Sequence, residues 1–292
     1  MGTAADYDND GDLDITVVNY LEYDFSDAPS TYDGLIGYST PRLFKNTTDI
    51  LYRNNNNGTF TDITKEAGLS NPVEGKGMGS VSADFDNGNF PDIYITNDTC
   101  RDFLYHNNDD GIFTDETVAA GLSEPTHLLV GFSPSFLDYA MAVWTYLLLM
   151  DTPKTSLNRW KLLRHTPQSD QLYRNNRNGT FTDMSSLSSN SYFSERYVGR
   201  ATATGDYDND GDIDIFVVNS NQEAILLRNE EGNRNNWIQI KLVGRQSNRD
   251  GIQARIQISC GGMEQMREVK NGSCYASESD KRLLFGLEKK TE

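Results

Sequence analysis

Two short segments alternate along the chain, and this repetition restricts its fold more than any other feature. The first is an acidic loop that leads into a run of β-branched and aromatic residues, with copies at Asp6–Asn19, Asp84–Asp98 and Asp206–Asn219. The second contains Leu-Tyr-Arg-Asn-Asn or a variant of it, with copies at Ile50–Thr64, Phe103–Thr117, Gln171–Ser185 and, in a worn form, Ile225–Asn233. Such repetition predicts one supersecondary unit per copy, stacked against its neighbours.

Each copy of the second segment predicts a β-hairpin. In the first copy, Asn57-Gly58 separates two short strand-forming runs and supplies the positive φ that a tight turn needs. Small-residue stretches at Gly77–Ala83 and Gly199–Gly205 predict a further strand before two of the acidic loops. One repeat therefore contains about four short strands, with no helical periodicity between them. Units of this kind are typical of a β-propeller or a β-solenoid.

The third repeat departs from this pattern. The hairpin leucine precedes the next acidic loop by 33 or 34 residues elsewhere, which predicts a loop near Asp138. Asp138 is present, but Ala140–Thr152 follows in place of an acidic loop, and residues 134–165 are aberrant. A one-base deletion, altering Ala140 to about Arg164 and corrected before Gln171, would explain this, since codons exist whose neighbouring frame encodes the expected strand. A genuine insertion and a buried amphipathic helix are the alternatives.

The acidic loops predict calcium sites. In Asp6–Asp14, acids at positions 1, 3, 5 and 9 and glycine at position 6 allow a short loop to wrap around one hard cation. Oxygen-only ligands and a high charge count favour Ca²⁺ over Zn²⁺ or Cu²⁺. Position 7 is expected to contribute its backbone carbonyl, its side chain being optional. The candidate ligands of the two intact loops are Asp6, Asp8, Asp10, Asp12, Asp14, Asp206, Asp208, Asp210, Asp212 and Asp214.

Two alternatives to these calcium sites are weaker. A solvated acidic turn would leave five carboxylates within nine residues to repel one another. An EF-hand needs glutamate at position 12, where this chain has Val17 and Val217, and helical flanks. In the middle loop, Gly88 replaces the acid at position 5, which predicts weaker binding there. Its candidate ligands are Asp84, Asp86 and Asp92. The copy at Asp138 is expected to bind nothing.

Composition and the remaining motifs exclude several function classes. The formal charge of −17 argues against a nucleic-acid partner, and no apolar run reaches the length of a membrane-spanning helix. Cys260 and Cys274 could pair in an oxidising compartment and leave Cys100 over, or all three could be free thiols. His106 occupies a hairpin position held elsewhere by arginine, which favours a surface histidine. No catalytic constellation is recognisable, so the chain is not expected to be an enzyme.

After Asn233 the pattern changes to alternating strands. Trp237–Leu242, Ala254–Ile258 and Met263–Val269 are separated by glycine-containing turns, which predicts a small antiparallel β domain over residues 234–292. The fold class is therefore all-β, with an incomplete propeller of four-stranded blades over residues 1–233 and a second β domain behind it.

These residues resemble a known family. The Asp-Tyr-Asp-Asn-Asp-Gly-Asp loops with their hairpins are similar to the FG-GAP/VCBS repeats of integrin α-subunit propellers. The tail resembles the ASPIC/UnbV domain at Asn236-Trp237, Ser247–Arg255, Arg267–Val269 and Leu284–Leu287. This order of parts resembles the cartilage acidic protein family and its bacterial relatives. Met1-Gly2 corresponds to Met78-Gly79, which predicts a fragment that begins inside a blade, and the second domain is expected to continue beyond this sequence.

The resemblance implies a secreted, periplasmic or cell-surface protein that binds Ca²⁺ and recognises ligands, with no established catalytic residues. It assigns the ligand role to the aspartates at positions 1, 3, 5 and 9 of the loops: Asp6, Asp8, Asp10, Asp14, Asp84, Asp86, Asp92, Asp206, Asp208, Asp210 and Asp214. We therefore expect an adhesion or recognition module whose partners are extracellular proteins or carbohydrates, without nucleic-acid binding or membrane insertion. A cation-dependent hydrolase or lyase on a propeller face is one alternative, and a purely structural repeat in a larger polypeptide is another.

Overall fold

The computed structural model of the protein describes residues 1–24, 26, 30–32, 35–37, 41–70, 75–127, 129–138, 146–149, 155–158, 161–165, 168–186, 191–230, 236–272 and 275–287. Almost all of the regular structure is antiparallel β-sheet. The helical elements of the described residues are one short α-helix, α1, and two 3₁₀ turns: Ser123–Thr126, Pro41–Leu43 and Ser191–Ser194. The all-β class predicted from the sequence is confirmed.

Four consecutive sheets make up the repeat region. We call them blades 1 to 4. Blade 1 contains β1 (Gly2–Ala5), β2 (Asp14–Val17), β5 (Ile50–Asn54) and β6 (Phe60–Asp62), in that order. A separate two-stranded ladder, β3 (Ser30–Tyr32) and β4 (Leu35–Gly37), lies in the connection between β2 and β5. Blade 2 contains β7 (Gly77–Ala83), β8 (Asp92–Asn97), β9 (Phe103–Asn107) and β10 (Phe113–Asp115). The small-residue stretches thus form first strands, as predicted.

Blade 3 keeps the same order despite its aberrant sequence. It contains β11 (Ser135–Leu137), β12 (Tyr146–Leu149), β15 (Gln171–Asn175) and β16 (Phe181–Asp183). Leu148 pairs with Leu172, just as Thr16 pairs with Leu51 in blade 1, so β12 takes the place of a second strand. A ladder of β13 (Thr155–Asn158) and β14 (Lys161–His165) is inserted before β15.

These strands bear on the explanations of the aberrant segment. The described parts of residues 140–165 are strands, so the alternative of a buried amphipathic helix is wrong for them. The remainder of that segment lies outside the described residues. Strand formation fits both a shifted reading frame and a genuine insertion, and the frameshift stays a hypothesis.

The described residues of blade 4 form three strands, β17 (Gly199–Gly205), β18 (Asp214–Asn219) and β19 (Ile225–Leu227). The first strands of blades 1, 2 and 3 lie side by side. Buried side chains fill the spaces between consecutive blades, where Ile93 joins blade 2 to blade 1, Tyr94 faces blade 3, and Val217 belongs to the cluster between blades 3 and 4. Adjacent sheets packed in this way are propeller blades, and those described form a partial propeller without a closed ring.

The predicted hairpins are present, but their turns differ in detail from the prediction. In blade 1 the N–H of Asn55 bonds the Thr59 carbonyl at 3.0 Å, and the positive φ values belong to Asn56 (52°) and Gly58 (83°). Asn57 accepts the Thr59 N–H at 3.0 Å instead. The left-handed residues are therefore Asn56 and Gly58 rather than the pair Asn57-Gly58. The reason is that the loop is longer than a two-residue turn.

The part of the C-terminal domain that the structure describes forms two ladders. Its strands are β20 (Asn236–Ile240), β21 (Arg255–Cys260), β22 (Met263–Glu268) and β23 (Leu283–Leu287). β20 pairs with β23, and β21 pairs with β22 through the turn at Gly261-Gly262. Three of these strands match predicted runs, whereas β23 was not predicted as a strand. Cys274 lies outside the described residues, so its pairing with Cys260 stays a prediction.

Candidate metal centres

Each acidic loop connects the first and second strands of a blade. Asp6 follows β1 directly, Asp84 follows β7, and Asp206 follows β17. The glycines at position 6 of the intact loops, Gly11 and Gly211, both have φ of +96°, where a side chain would be strained. The glycine of the predicted motif is therefore needed for the sharp turn of the loop.

Carboxylate oxygens converge in all three loops. In each loop, three aspartates offer one oxygen apiece, and these oxygens lie within 4.8 Å of one another. The first and third loops use positions 1, 3 and 5, whereas the middle loop uses positions 1, 3 and 9. The three groups are Asp6, Asp8 and Asp10; Asp84, Asp86 and Asp92; and Asp206, Asp208 and Asp210. No such group of the described residues contains Asp138.

The aspartate at position 9 also bonds backbone N–H groups in all three loops. Asp14 accepts the Tyr7 N–H at 3.1 Å through Oδ2 and the Asn54 N–H at 2.9 Å through Oδ1. Asp92 and Asp214 accept the equivalent pairs of N–H groups. Each carboxylate thus ties its loop to the third strand of its blade or, in blade 4, to Asn229 just after that strand. In the intact loops, Asp14 and Asp214 are outside the convergent group predicted to include them.

The aspartate at position 7 of each intact loop has a buried carboxylate whose charge is not compensated by the described residues. The Asp212 side chain is fully buried (0% exposed), and neither of its carboxylate oxygens has a hydrogen-bond partner among the described residues. Both oxygens of Asp12 are also buried and without a partner. Burial, followed by the neighbouring Asp210 carboxylate, raises the pKa of Asp212 to about 7. A buried anion without a partner is costly, and a bound cation would remove that cost.

Two hairpin side chains contact the clusters and were not predicted as site residues. Arg228 lies 2.9 Å from Asp208 Oδ2, and His106 Nε2 lies 2.8 Å from Asp86 Oδ2. Both residues occupy the hairpin position that holds Arg53 in the first copy. His106 is thus a half-buried partner of the middle loop rather than an isolated surface histidine. The position that these residues share in the hairpin copies is the sequence signal from which their contact with the loops could have been predicted.

Comparison with known families identifies both regions. Residues 162–217 match the family described as FG-GAP-like repeat, and residues 244–292 match the family described as ASPIC and UnbV. The chain is an FG-GAP repeat protein with a C-terminal UnbV domain. The first match spans the hairpin of blade 3 and the whole Asp206–Asp214 loop. No curated protein matches the chain.

FG-GAP repeats are typical of extracellular proteins, and they form β-propeller-like modules. None of the helices in the described part of the chain has the length and apolar character needed to cross a membrane.

Asparagines join successive FG-GAP blades at the loops. Asn107 of blade 2 donates its side-chain N–H to the Tyr7 carbonyl of blade 1 at 2.8 Å. Asn175 of blade 3 donates in the same way to the Phe85 carbonyl of blade 2 at 2.7 Å. Tyr7 and Phe85 both occupy position 2 of an acidic loop. The sequence shows this asparagine in every hairpin copy, but only the three-dimensional arrangement shows that it reaches the preceding blade.

The UnbV domain lies against the loops and presents arginines to them. Arg255 Nη2 donates to the Asp6 carbonyl at 2.7 Å and lies 3.3 Å from the Asp6 carboxylate, while Nη1 contacts Asn9. Arg282 contacts the third loop in the same way, with Nη2 2.7 Å from the Asp206 carbonyl and Nη1 on Asn209. Sequence reasoning missed both arginines, because they lie far from the loops in the chain.

Proposed function

We propose that the chain is a Ca²⁺-binding recognition module of an extracellular protein. The buried carboxylate of Asp212, whose oxygens accept no hydrogen bond from the described residues and which belongs to a loop of five aspartates, supports this proposal most directly. The carboxylates of positions 1, 3 and 5 converge beside it. Such a set of hard oxygen donors fits Ca²⁺, which takes six to eight oxygen ligands in flexible geometry.

In the proposal, Asp6, Asp8 and Asp10 hold the ion of blade 1, and their counterparts hold that of blade 4. The position-7 carboxylates, Asp12 and Asp212, provide further oxygens beside these groups. The ion neutralises the repulsion within each loop. Since position 9 bonds the loop to the third strand, ordering the loop also stabilises its blade.

The ion is proposed to have a structural role, and the protein is proposed to act by binding an extracellular protein or carbohydrate rather than by catalysis. A hydrolase or lyase would need a base next to an open coordination position. The His106 ring, which lies beside the middle cluster, is instead bonded to Asp86. The arrangement of described residues therefore favours recognition.

Calorimetric titration of the chelator-treated chain with CaCl₂ tests the metal site. We expect binding in the range of about 10⁻⁴–10⁻³ M, the range of extracellular modules. Asp8→Asn with Asp208→Asn should remove most of the heat. Glu66→Gln, which deletes an exposed acid of blade 1 outside the loops, is the matched control.

A thermal melt of the same proteins tests the structural role. At about 2 mM free Ca²⁺, each site should stabilise the wild type by about 0.6–1.8 kcal/mol, and the chelator should remove this stabilisation. The double variant should melt at the same temperature with and without Ca²⁺. A wild-type melting temperature that does not respond to Ca²⁺ would contradict the proposal.

A further inference from the structure

Successive blades pack through one repeated aromatic contact. Tyr7, at loop position 2 of blade 1, contacts Phe113 of blade 2 with the ring centroids 5.6 Å apart. Phe85, at the same position in blade 2, contacts Phe181 of blade 3 at 5.8 Å. All four rings are buried. The aromatic residue at loop position 2 therefore meets the first residue of the fourth strand in the following blade.

The two rings at the ends of the series have no such contact among the described residues. Tyr207 occupies loop position 2 of blade 4 and is 53% exposed, whereas Tyr7 and Phe85 are each 1% exposed. Phe60 begins the fourth strand of blade 1 and is 44% exposed. Both rings are exposed in the same molecule, so the chain does not cover one of them with the other.

The sheet of blade 4 presents an apolar face on the side away from blade 3. Phe216 pairs with Leu226 across β18 and β19, and both side chains are exposed, as is Val218. The corresponding pair of blade 2, Tyr94 and Leu104, is fully buried because blade 3 covers it. The UnbV domain, which lies against the loops, leaves the face of blade 4 exposed.

Blade 1 has the side chains that cover such a face elsewhere in the chain. In blade 3, Tyr173 and Phe181 belong to the cluster that covers the corresponding face of blade 2. Blade 1 has the same residue types at these two hairpin positions, Tyr52 and Phe60, and Tyr52 is only half-buried. A second copy of the chain therefore offers the aromatic pair that this interface uses, on a blade with the same strand order.

We propose that blade 4 packs on blade 1 of a second copy of this chain, with Tyr207 against Phe60 of the partner subunit. The contact is heterologous, since each face meets the other kind of face. Two such contacts join two chains of four blades each into a ring of eight, and propellers typically have four to eight blades. The proposal goes beyond the calcium function, because none of the contacting side chains belongs to a carboxylate cluster.

Sedimentation equilibrium of the wild type in 0.15 M NaCl and 2 mM CaCl₂ tests the proposal. We expect twice the mass of one chain at about 100 μM and dissociation on dilution towards about 1 μM. The salt screens the repulsion between two chains that each have a formal charge of −17. The mass of one chain at every concentration, which is expected if a different protein covers these faces, or a mass that rises beyond two chains, would overturn the proposal.

Lysine substitutions test each face separately. Phe60→Lys and Phe216→Lys each place a charge on one face and should weaken the dimer at least tenfold. Val118→Lys, at an exposed apolar position in the turn after β10, is the matched control and should change the dissociation constant less than twofold. All three substitutions change the net charge equally, so general repulsion cannot account for a difference between them. Thermal melts at a concentration where the wild type is dissociated check that each variant folds.

An equimolar mixture of the two face variants identifies the kind of contact. Phe60→Lys keeps an intact face on blade 4, and Phe216→Lys keeps an intact face on blade 1. The mixture should therefore dimerise through one intact contact, at least tenfold more tightly than either variant alone. A mixture that associates no better than the separate variants, or a variant that dimerises as well as the wild type, would contradict a contact between blade 4 and blade 1.

Discussion

Asn107 lies at the end of one blade and donates its side-chain N–H to the backbone carbonyl of Tyr7 in the preceding blade. The same side chain donates to the Pro91 carbonyl at 3.1 Å, and its oxygen accepts the Gly111 N–H at 3.1 Å. The residue is 2% exposed, so no water can replace these bonds without a rearrangement. A single buried amide therefore joins two blades and one hairpin turn.

Replacement of Asn107 by alanine should lower the free energy of unfolding by about 2–4 kcal/mol, because buried polar groups lose their partners. Asn54 is the matched control, since it holds the same hairpin position but bonds the Leu13 carbonyl within its own blade at 3.2 Å. Asn54→Ala should cost less than half as much in urea denaturation. Equal losses in the two variants would show that the bond between blades does not contribute.

The position-9 aspartates should stabilise the loops without any metal. Asp14 accepts two backbone N–H groups, and an asparagine can accept only one of them with its single oxygen. We expect Asp14→Asn to lower the free energy of unfolding by about 1–3 kcal/mol in chelator as well as in Ca²⁺. Asp8→Asn should lower the free energy of unfolding only in Ca²⁺, where it removes a ligand of the ion. In chelator no ligand is lost, and the substitution relieves the repulsion between Asp8 and Asp10. Denaturant melts in both buffers distinguish the two; a loss for Asp14→Asn confined to Ca²⁺ would contradict this assignment.

The blade pattern was predictable from the sequence because its signals are local. Turn glycines, small-residue first strands and alternating acids all lie within a few residues of the structure that they determine. The convergence of Asp6, Asp8 and Asp10 follows from the same short loop.

The remaining features depend on contacts between distant parts of the chain. Arg255 reaches Asp6 across more than two hundred residues, and nothing near either residue in the sequence indicates the contact. The strand Tyr146–Leu149 could not be predicted from the sequence for a different reason. Its sequence no longer resembles the repeat, yet pairing with the intact hairpin of blade 3 gives it the position of a second strand.

Asp102 should make the stability of the protein depend on pH. Burial raises the pKa of Asp102 to about 8, although its carboxylate accepts the Asn97 N–H and the Tyr94 hydroxyl. The unfolded chain releases this proton near pH 4, about 4 being the ordinary value, and the folded chain releases it near pH 8. The folded state thus binds more protons between these values, and the contribution of Asp102 to the free energy of unfolding falls as the pH rises through this window.

Asp102→Asn mimics the protonated form and should remove this part of the pH dependence. In chelator, we expect the variant to melt several degrees higher than the wild type at pH 8 and at a similar temperature near pH 4. Glu66→Gln, at an exposed position, should keep the wild-type slope. The same slope of melting temperature against pH in the wild type and Asp102→Asn would contradict the assignment.

The equivalent glycines Gly11 and Gly211 should respond differently to alanine because only one of them faces the UnbV domain. Both have φ of +96°, so both variants suffer the same backbone strain of about 1 kcal/mol. A Cβ on Gly11 meets nothing within 4 Å, whereas a Cβ on Gly211 would lie 2.1 Å from the Trp237 ring. Gly211→Ala should therefore cost at least 1 kcal/mol more than Gly11→Ala and displace the UnbV strand β20 from the loop. Tryptophan emission should shift to longer wavelength in Gly211→Ala and stay unchanged in Gly11→Ala. Identical spectra and melting temperatures for the two variants would show that the contact between Trp237 and the loop does not hold the UnbV domain in place.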